Sequence, residues 1–235
     1  MILHKLIARH RKHRDDEVFY ALQAQDAIRW MREKGVRMGV GTEALDLGCG
    51  HGIFGAQLGL AGCKVTFADE QNYLPPHLAS SQFSKINLDQ DNIKNVGIYD
   101  LIVCSNVLEH LAKPGRFIDS IHHVLKPGGR LYLSWTNWLS PWGGHEFSPF
   151  HYLGPGCGHL VWDRVSGRTR KHTPYKNLFP TYIGSVLQMI RANPHLFVRH
   201  TAPRYYTEFA FLIHIPVVRE FLTWNCAMLI QRKNA

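Results

Sequence analysis

The sequence feature that most constrains the fold is a buried strand pattern that leads directly into a glycine-rich turn. A short, mostly apolar run at 44–47 is followed by Gly48, Gly50 and Gly52. Glycines let the backbone turn sharply and let a ligand approach where a Cβ atom would collide. Because a helical pattern follows at 54–61, the segment predicts a strand, a ligand-binding turn and a helix in that order.

The same alternation of strand and helix patterns continues along the chain. Helical spacing of apolar residues predicts helices at 16–34, 54–61, 116–125, 182–191 and within 209–222. Strand-like runs lie at 44–47, 64–68, 85–88, 101–104, 130–135, 196–201 and 226–231. Strands that alternate with helices are typical of βαβ units, so we predict an α/β fold with a doubly wound, mainly parallel sheet.

We interpret residues 1–235 as a single domain, because a chain that is 45% hydrophobic buries a full core at this length. Four parts are expected within it: an N-terminal basic and amphipathic helical region (1–40), a cofactor-binding core (41–135), a lid (136–180) and the C-terminal part of the sheet (181–235). The lid follows the fifth strand and is rich in Gly, Pro, Trp and His without a sustained period.

The net charge of +9 is concentrated in two segments. Residues 1–14 and 164–176 each hold five Lys or Arg residues and no acid, which leaves the remainder close to neutral. No apolar stretch reaches the roughly 20 residues that cross a bilayer, and the start lacks the apolar block of a secretion signal. The five cysteines form no CxxC pair. We therefore expect a cytoplasmic protein with reduced thiols.

Two nucleotide cofactors compete for the glycine-rich turn. Residues 50–55 match the dinucleotide fingerprint GxGxxG, which favours NAD and an oxidoreductase. Asp69 follows Gly48 at the spacing at which an acid binds ribose hydroxyls. Asp46, if ionised beside the turn, repels a pyrophosphate and attracts a cationic sulfonium or ammonium. Two charges at about 4 Å interact by about 4 kcal/mol at an effective dielectric of about 20, which favours a cationic, phosphate-free nucleoside.

Four ordered motifs resemble those of a known family. They read ALDLGCGHG, VTFADE, YDLIVCSNVLEHL and VLKPGGRLYLSW, and they cover roughly 42–135. By these motifs the chain resembles class I S-adenosylmethionine-dependent methyltransferases of the methyltransferase-11 type. The resemblance implies a Rossmann-like, seven-stranded sheet whose last two strands form an antiparallel hairpin, and S-adenosylmethionine as the cofactor.

The resemblance also implies which residues line the cofactor site. Asp46, Gly48 and Gly50, with Cys49 inside the turn, are expected beside the methionine part of the cofactor. Asp69, with its neighbour Glu70, is expected at the ribose. Leu88 and Asp89 are expected to flank the adenine, and Ser105 and Asn106 to lie beside the transferred methyl group.

Histidines are the candidate bases if the methyl acceptor is a hydroxyl, because a neutral imidazole accepts a proton near pH 7. We favour His145 over His151 and His110, since the lid starts at the acceptor side of the sheet. Some O-methyltransferases of the family have an ExxEH stretch that binds a divalent cation. Asn106 replaces its first Glu here, so no metal ligand is assigned.

A softer resemblance concerns the acceptor. GGHEFSPFHYLG and IPVVREFLTWN are similar to segments of actinobacterial methyltransferases of envelope glycolipid and polysaccharide pathways, which implies O-methylation of a small-molecule, glycan or glycolipid hydroxyl. Residues 1–14, with Ile2, Leu3, Leu6 and Ile7, are a candidate contact with an anionic membrane. DNA is not an expected partner. Two alternative functions stay open. One is an RNA-modifying enzyme, which is disfavoured because no NPPY-type motif follows strand four, and the other is a catalytically silent binding module.

Overall fold

The computed structural model describes residues 2–13 and 16–234, and its centre is a seven-stranded sheet in the order β3-β2-β1-β4-β5-β7-β6. The strands are β1 (Glu43–Leu47), β2 (Lys64–Asp69), β3 (Gln82–Lys85), β4 (Tyr99–Ser105), β5 (Leu125–Thr136), β6 (Leu196–Pro203) and β7 (Asn225–Arg232). Of these seven, β7 runs antiparallel to its neighbours β5 and β6, and the others share one direction. The predicted seven-stranded sheet with a terminal antiparallel hairpin is confirmed.

Helices cover both faces of this sheet. They are α1 (Leu3–His13), α2 (Glu17–Glu33), α3 (Ile53–Leu60), α4 (Pro114–Ser120), α5 (Gly158–Ser166), α6 (Ile183–Ala192) and α7 (Val218–Leu222). The apolar sides of α2 and α3 pack on one face, and those of α4 and α6 pack on the other. This two-sided arrangement confirms the doubly wound architecture. Within the described ranges, every helix is too short or too polar to cross a membrane.

The third strand lies three residues earlier than the predicted span 85–88. Residues 82–85 of β3 pair with 66–69 of β2. The strand ends because the Asn87 side chain accepts hydrogen bonds from the N–H groups of Asp89 (3.0 Å) and Gln90 (3.1 Å). Such a side-chain turn competes with strand pairing, and apolar periodicity does not reveal it.

The predicted helix 116–125 is also shorter than expected. It starts at Pro114, ends at Ser120 and continues as a 3-10 turn over Ile121–Val124. Leu125 already pairs with Tyr99 in the sheet, and pairing resumes between Leu101 and Arg130. The Pro127-Gly128-Gly129 turn is therefore a bulge inside β5, and the helix has ended before it.

The last predicted helix, within 209–222, is divided into two pieces. A 3-10 segment spans Thr207–His214, and α7 begins at Val218. Between them Pro216 lacks an N–H group, and Val217 adopts a φ of 67°, which a helix does not contain. The apolar period persists across this break, so the sequence pattern alone predicts one element.

The lid segment (residues 136–180) has a small apolar core of its own. Trp138, Phe147, Trp162 and Leu178 are buried against one another. Short 3-10 turns at His145–Phe147 and Phe150–Leu153 precede α5, a helix that the sequence analysis did not predict. The packed aromatic residues hold this mostly irregular backbone in one arrangement.

The N-terminal helix α1 packs on the protein through residues that were expected to face a membrane. Ile2 and Leu6 are buried, while Ile7 is exposed. Burial removes Ile2 and Leu6 from any contact with lipid, so that part of the membrane prediction is wrong. Arg9, one of the basic residues, pairs with Asp16. Met1 and Arg14 belong to the same predicted surface but lie outside the described residues.

Leu133 tests the packing of the central strands, because it is fully buried on β5 between β4 and β7. Leu133→Ala should lower the free energy of unfolding by about 2–5 kcal/mol through lost burial and a residual cavity. Leu60→Ala is the matched control, since Leu60 on α3 is 82% exposed, and it should change stability by no more than about 0.5 kcal/mol. Urea unfolding measures both; equal losses would contradict the packing described here.

Candidate active site

The turn between β1 and α3 is shaped by glycines with positive φ. Gly48 has a φ of 72°, and an added Cβ atom would lie 2.3 Å from Cγ2 of Val107. Gly50 has a φ of 50°, and an added Cβ atom would meet nothing within 4 Å. Gly48 is thus required for packing against the residue after β4, whereas Gly50 borders open space into which a ligand fits.

Asp46 lies beneath this turn. Its carboxylate is buried and accepts a hydrogen bond from the Gly55 N–H in the first turn of α3 (2.7 Å). Burial raises the pKa of Asp46 to about 7, although that hydrogen bond opposes the change. The sequence-based expectation for Asp46 is an ionised carboxylate. In the absence of a cation, the buried carboxyl is instead close to half protonated at neutral pH.

Asp69 connects the ends of the first two strands. Its Oδ2 atom accepts from the Gly50 N–H (2.8 Å), and its Oδ1 atom accepts from the Glu70 N–H (2.7 Å). Each carboxylate oxygen has a further lone pair for a ligand hydroxyl. Cys49 is buried in the same turn, where burial raises the pKa of its thiol, and its place beside the cofactor stays a prediction.

Leu88 and Asp89 lie in the loop that follows β3. Leu88 is partly buried against the larger apolar core. The Asp89 carboxylate accepts hydrogen bonds from the N–H groups of Ala112 (3.0 Å) and Lys113 (2.9 Å). It therefore fixes the segment before α4, and the place beside the adenine stays a prediction for both residues.

Ser105 and Asn106 end β4 in a polar network. Asn106 has a φ of 57°, and its N–H donates to the Ser134 carbonyl oxygen (2.7 Å). Its Oδ1 atom accepts from the Arg204 guanidinium (3.1 Å) and from Asn225 Nδ2 (3.0 Å). The Ser134 hydroxyl donates to Ser105 Oγ (3.2 Å). Strained backbone and shared hydrogen bonds together hold this edge rigid.

Arg204, which the sequence analysis missed, follows the carboxyl end of β6. It is only 4% exposed, and no carboxylate among residues 2–13 and 16–234 forms an ion pair with it. Its Nε atom has no hydrogen-bond partner in the described part of the chain. A buried guanidinium with a free N–H at this edge can donate to an acceptor molecule. In the sequence, the position of Arg204 shortly after a predicted strand is the one signal that could have marked it as a site residue.

The three candidate bases separate into two places. His110 and His145 lie together, with ring centroids 5.5 Å apart, and His172 joins them. His151 is buried elsewhere in the lid segment, and its Nε2 atom bonds the Ser140 carbonyl oxygen (2.9 Å). Burial lowers the pKa of His145 to about 3. Such an imidazole is neutral at pH 7 but takes up a proton weakly, and the base role stays a prediction.

The carboxyl edge of the sheet fits a cationic nucleoside. The space beside Gly50 is open, Asp46 supplies a buried carboxylate, and Asp69 has free lone pairs at the end of β2. Ligands of open α/β sheets bind at this edge. A diphosphate would be repelled by Asp69 and by the ionised form of Asp46, whereas a sulfonium and an ammonium group favour that ionised form and are attracted by both.

Comparison with protein families agrees with this geometry. Residues 12–212 match the family model Methyltransf_23, described as "Methyltransferase domain". The chain belongs to this family and is a class I S-adenosylmethionine-dependent methyltransferase. Its cofactor is S-adenosylmethionine, so the alternative of an NAD-dependent oxidoreductase is wrong.

Curated relatives are similar over nearly the whole chain. An uncharacterized methyltransferase of Mycobacteroides abscessus is 30% identical over 230 residues, which cover 92% of this chain and 87% of the relative. One of Mycobacterium leprae is 29% identical over 224 residues, or 91% of this chain and 82% of the relative. Their descriptions name no methyl acceptor.

Solved structures share the fold. An S-adenosylmethionine-dependent methyltransferase from Mesorhizobium loti has a TM-score of 0.56 at 17% identity, covering 88% of this chain and 98% of its own. Magnesium protoporphyrin IX methyltransferase from Synechocystis PCC 6803, solved with bound S-adenosylhomocysteine, has a TM-score of 0.54 at 16% identity, covering 92% and 86%. At these identities the likeness concerns the fold.

The raised pKa of Asp46 predicts a pH-dependent affinity for S-adenosylmethionine. A cation beside Asp46 favours the ionised form, so binding must release a proton below about pH 7. Affinity should therefore rise with pH, by at most about tenfold per unit, and level off above about pH 7. Calorimetric titrations in buffers of different ionisation enthalpy measure both the affinity and the proton release.

Two variants give the controls for this titration. Asp46→Asn should bind the cofactor more weakly and lose this part of the pH dependence. Asp119→Asn removes an exposed carboxylate on α4 and should keep the original profile. An unchanged affinity and profile in Asp46→Asn would show that Asp46 does not face the cofactor.

Proposed function

We propose that this methyltransferase transfers the methyl group to a hydroxyl oxygen of a small molecule, a glycan or a glycolipid. The observation that carries the proposal is the chemistry at the carboxyl ends of β4, β5 and β6 and at the start of β7. The side chains there are hydroxyls, amides and one guanidinium: Ser105, Ser134, Asn106, Asn225 and Arg204. Such groups match the donors and acceptors of a hydroxyl-rich acceptor.

Exposed aromatic side chains on the lid segment support an acceptor with a ring face. Trp142, Tyr152 and Tyr175 are 50%, 47% and 64% exposed. Trp142 makes an edge-to-face contact with Trp224, with ring centroids 6.1 Å apart. Trp224 directly precedes Asn225, so the aromatic rim adjoins the polar network at the sheet edge. Apolar ring faces beside hydrogen-bonding groups suit a sugar.

The chain mainly has to align the reacting groups. S-adenosylmethionine supplies an electrophilic methyl group, which a nucleophilic oxygen takes by in-line displacement. Positioning of this kind contributes up to about 7–11 kcal/mol to lowering the barrier. The glycine turn and Asp69 are suited to hold the methyl donor. Asn106 and Arg204 are suited to orient the methyl acceptor.

The sequence resemblance to actinobacterial envelope methyltransferases agrees with the mycobacterial origin of the relatives. The RNA alternative is weakened by internal pairing in the basic segment 164–176. Arg170 there binds the Asp163 carboxylate (2.8 Å) and the Thr173 hydroxyl (2.7 Å). This side chain is therefore already occupied and less able to contact phosphates.

Methyl labelling tests the acceptor class. The protein is incubated with radiolabelled S-adenosylmethionine and a mycobacterial lysate divided into lipid, glycan, RNA and small-molecule fractions. We expect label in a glycan, glycolipid or small-molecule fraction, and we expect it to survive mild alkali, because a methyl ether resists hydrolysis whereas a methyl ester does not.

A binding-deficient variant gives the matched control. Gly48→Val should fold but lose labelling, because its side chain would collide with Val107 and displace the cofactor turn. Circular dichroism checks its fold. Label confined to RNA would overturn the proposal. Label released by alkali would move the acceptor atom from a hydroxyl to a carboxylate, for which Arg204 is a suitable partner.

A further inference from the structure

Three histidines from separate parts of the chain meet beside the end of β4. His110 lies in the turn after β4, and His145 and His172 belong to the lid segment. One ring nitrogen from each lies within 4.8 Å of the other two. Among residues 2–13 and 16–234, this is the one group of three or more His, Cys, Asp or Glu side chains that converges in this way.

In two of these rings the Nδ1 atom has a hydrogen-bond partner that fixes the orientation of the ring. His110 Nδ1 lies 2.7 Å from the Asn177 carbonyl oxygen, so it carries the proton and donates it. His172 Nδ1 lies 2.6 Å from Glu146 Oε2. In both rings the lone pair is thereby left on Nε2. A carbonyl or carboxylate behind an imidazole is the usual arrangement around histidines that bind metal ions.

Glu146 is itself held in place for this contact. Its Oε1 atom accepts from the N–H groups of Lys171 and His172, the latter at 2.6 Å. A carboxylate hydrogen-bonded to the far side of His172 fixes the ring and makes the imidazole a stronger donor to a metal ion.

His145 is built into the cluster at a conformational cost. Its φ is 50°, a left-handed value that is rare for a residue with a Cβ atom. Its Nδ1 atom is buried and has no hydrogen-bond partner among the described residues. A buried nitrogen without a hydrogen-bond partner destabilises the folded chain.

A second group of histidines shows that proximity alone does not give this arrangement. The rings of His122 and His123 are 3.9 Å apart, and those of His122 and His195 are 4.3 Å apart. Although these rings are closer together, their ligating atoms do not converge as a set of three.

We propose that His110, His145 and His172 bind one divalent transition-metal ion, Zn²⁺, and that this ion fastens the lid segment to the edge of the sheet. Imidazole nitrogens suit zinc, at about 2.0–2.1 Å, and do not suit Mg²⁺ or Ca²⁺, which prefer oxygen ligands. Three neutral ligands leave a fourth position for water. An imidazole that binds zinc has no lone pair for a proton, so this proposal replaces the base role expected for His110 and His145. It does not depend on the identity of the methyl acceptor.

Metal content and thermal stability test the site in the full chain, purified without a histidine tag. We expect about one zinc per chain by mass spectrometry, as for a single three-histidine site. Removal of zinc by a chelator should lower the melting temperature, and added Zn²⁺ but not Mg²⁺ should restore it. Zinc-free protein that binds no added Zn²⁺ at micromolar concentration would overturn the proposal.

Variants separate ligands from neighbours. His172→Ala should lose zinc, whereas His159→Asn, which changes a lid histidine outside the cluster, should retain it. Glu146→Gln keeps all three ligands but should weaken zinc binding by about 10–100-fold. Binding of S-adenosylmethionine checks that each variant is folded. Equal zinc content in His172→Ala and the unaltered chain would contradict the assignment.

The unaltered protein allows a test that does not depend on variants. Co²⁺ in place of Zn²⁺ should give the absorption bands of a four-coordinate nitrogen site, and X-ray absorption at the zinc edge should show imidazole scattering. A spectrum of an oxygen-only or sulfur-containing shell would overturn the proposal. These measurements do not involve methyl transfer, so their outcome is independent of the labelling experiment.

Discussion

The hydrogen bonds of Asp69 are the constraint on which the cofactor edge depends. One carboxylate oxygen binds the Gly50 N–H and the other binds the Glu70 N–H, so the turn after β1 is held by the end of β2. Gly48 then packs against Val107, which connects the same turn to the end of β4. Three parallel strands thereby form one continuous edge, and open α/β sheets bind their ligands where such carboxyl ends meet.

Glu109 has a comparable role between the sheet and the lid segment. It is buried; its Oε1 atom accepts from the Thr136 N–H (2.9 Å), and its carbonyl oxygen accepts from the Phe179 N–H (2.7 Å). These bonds anchor both ends of the lid segment next to β4. The small aromatic core then fixes the middle of the segment, so a stretch with little regular structure still has a defined arrangement of side chains.

Much of the sheet could be predicted because its apolar residues recur with the period of strands and helices. The sequence also predicted the glycine turn, Asp46 and Asp69. These residues lie at fixed short spacings along the chain, and such spacings can be read without knowing the tertiary contacts. Boundaries were less accurate where side chains compete with the backbone, as Asn87 does after β3. Membrane contact by Ile2 and Leu6 was wrongly expected because an amphipathic pattern does not say which surface covers it.

Residues that act through tertiary contacts carried a weaker signal. Arg204 gains its significance from burial beside Asn106, and His172 from its approach to His110 and His145. Both connections join distant parts of the chain through irregular backbone. No period along the sequence describes such backbone, so only the folded chain brings these groups together. The raised pKa of Asp46 likewise follows from burial by neighbours that the motif does not name.

The reversed direction of β7 has a practical consequence for handling the protein. Because this strand begins at the ligand edge, its first residue, Asn225, joins the polar network there, while Gln231 pairs with Arg130 near the opposite edge. The residues that follow β7 therefore lie at the edge of the sheet opposite the ligand edge. A fluorophore or surface tether attached after Lys233 would leave the mouth of the site unobstructed.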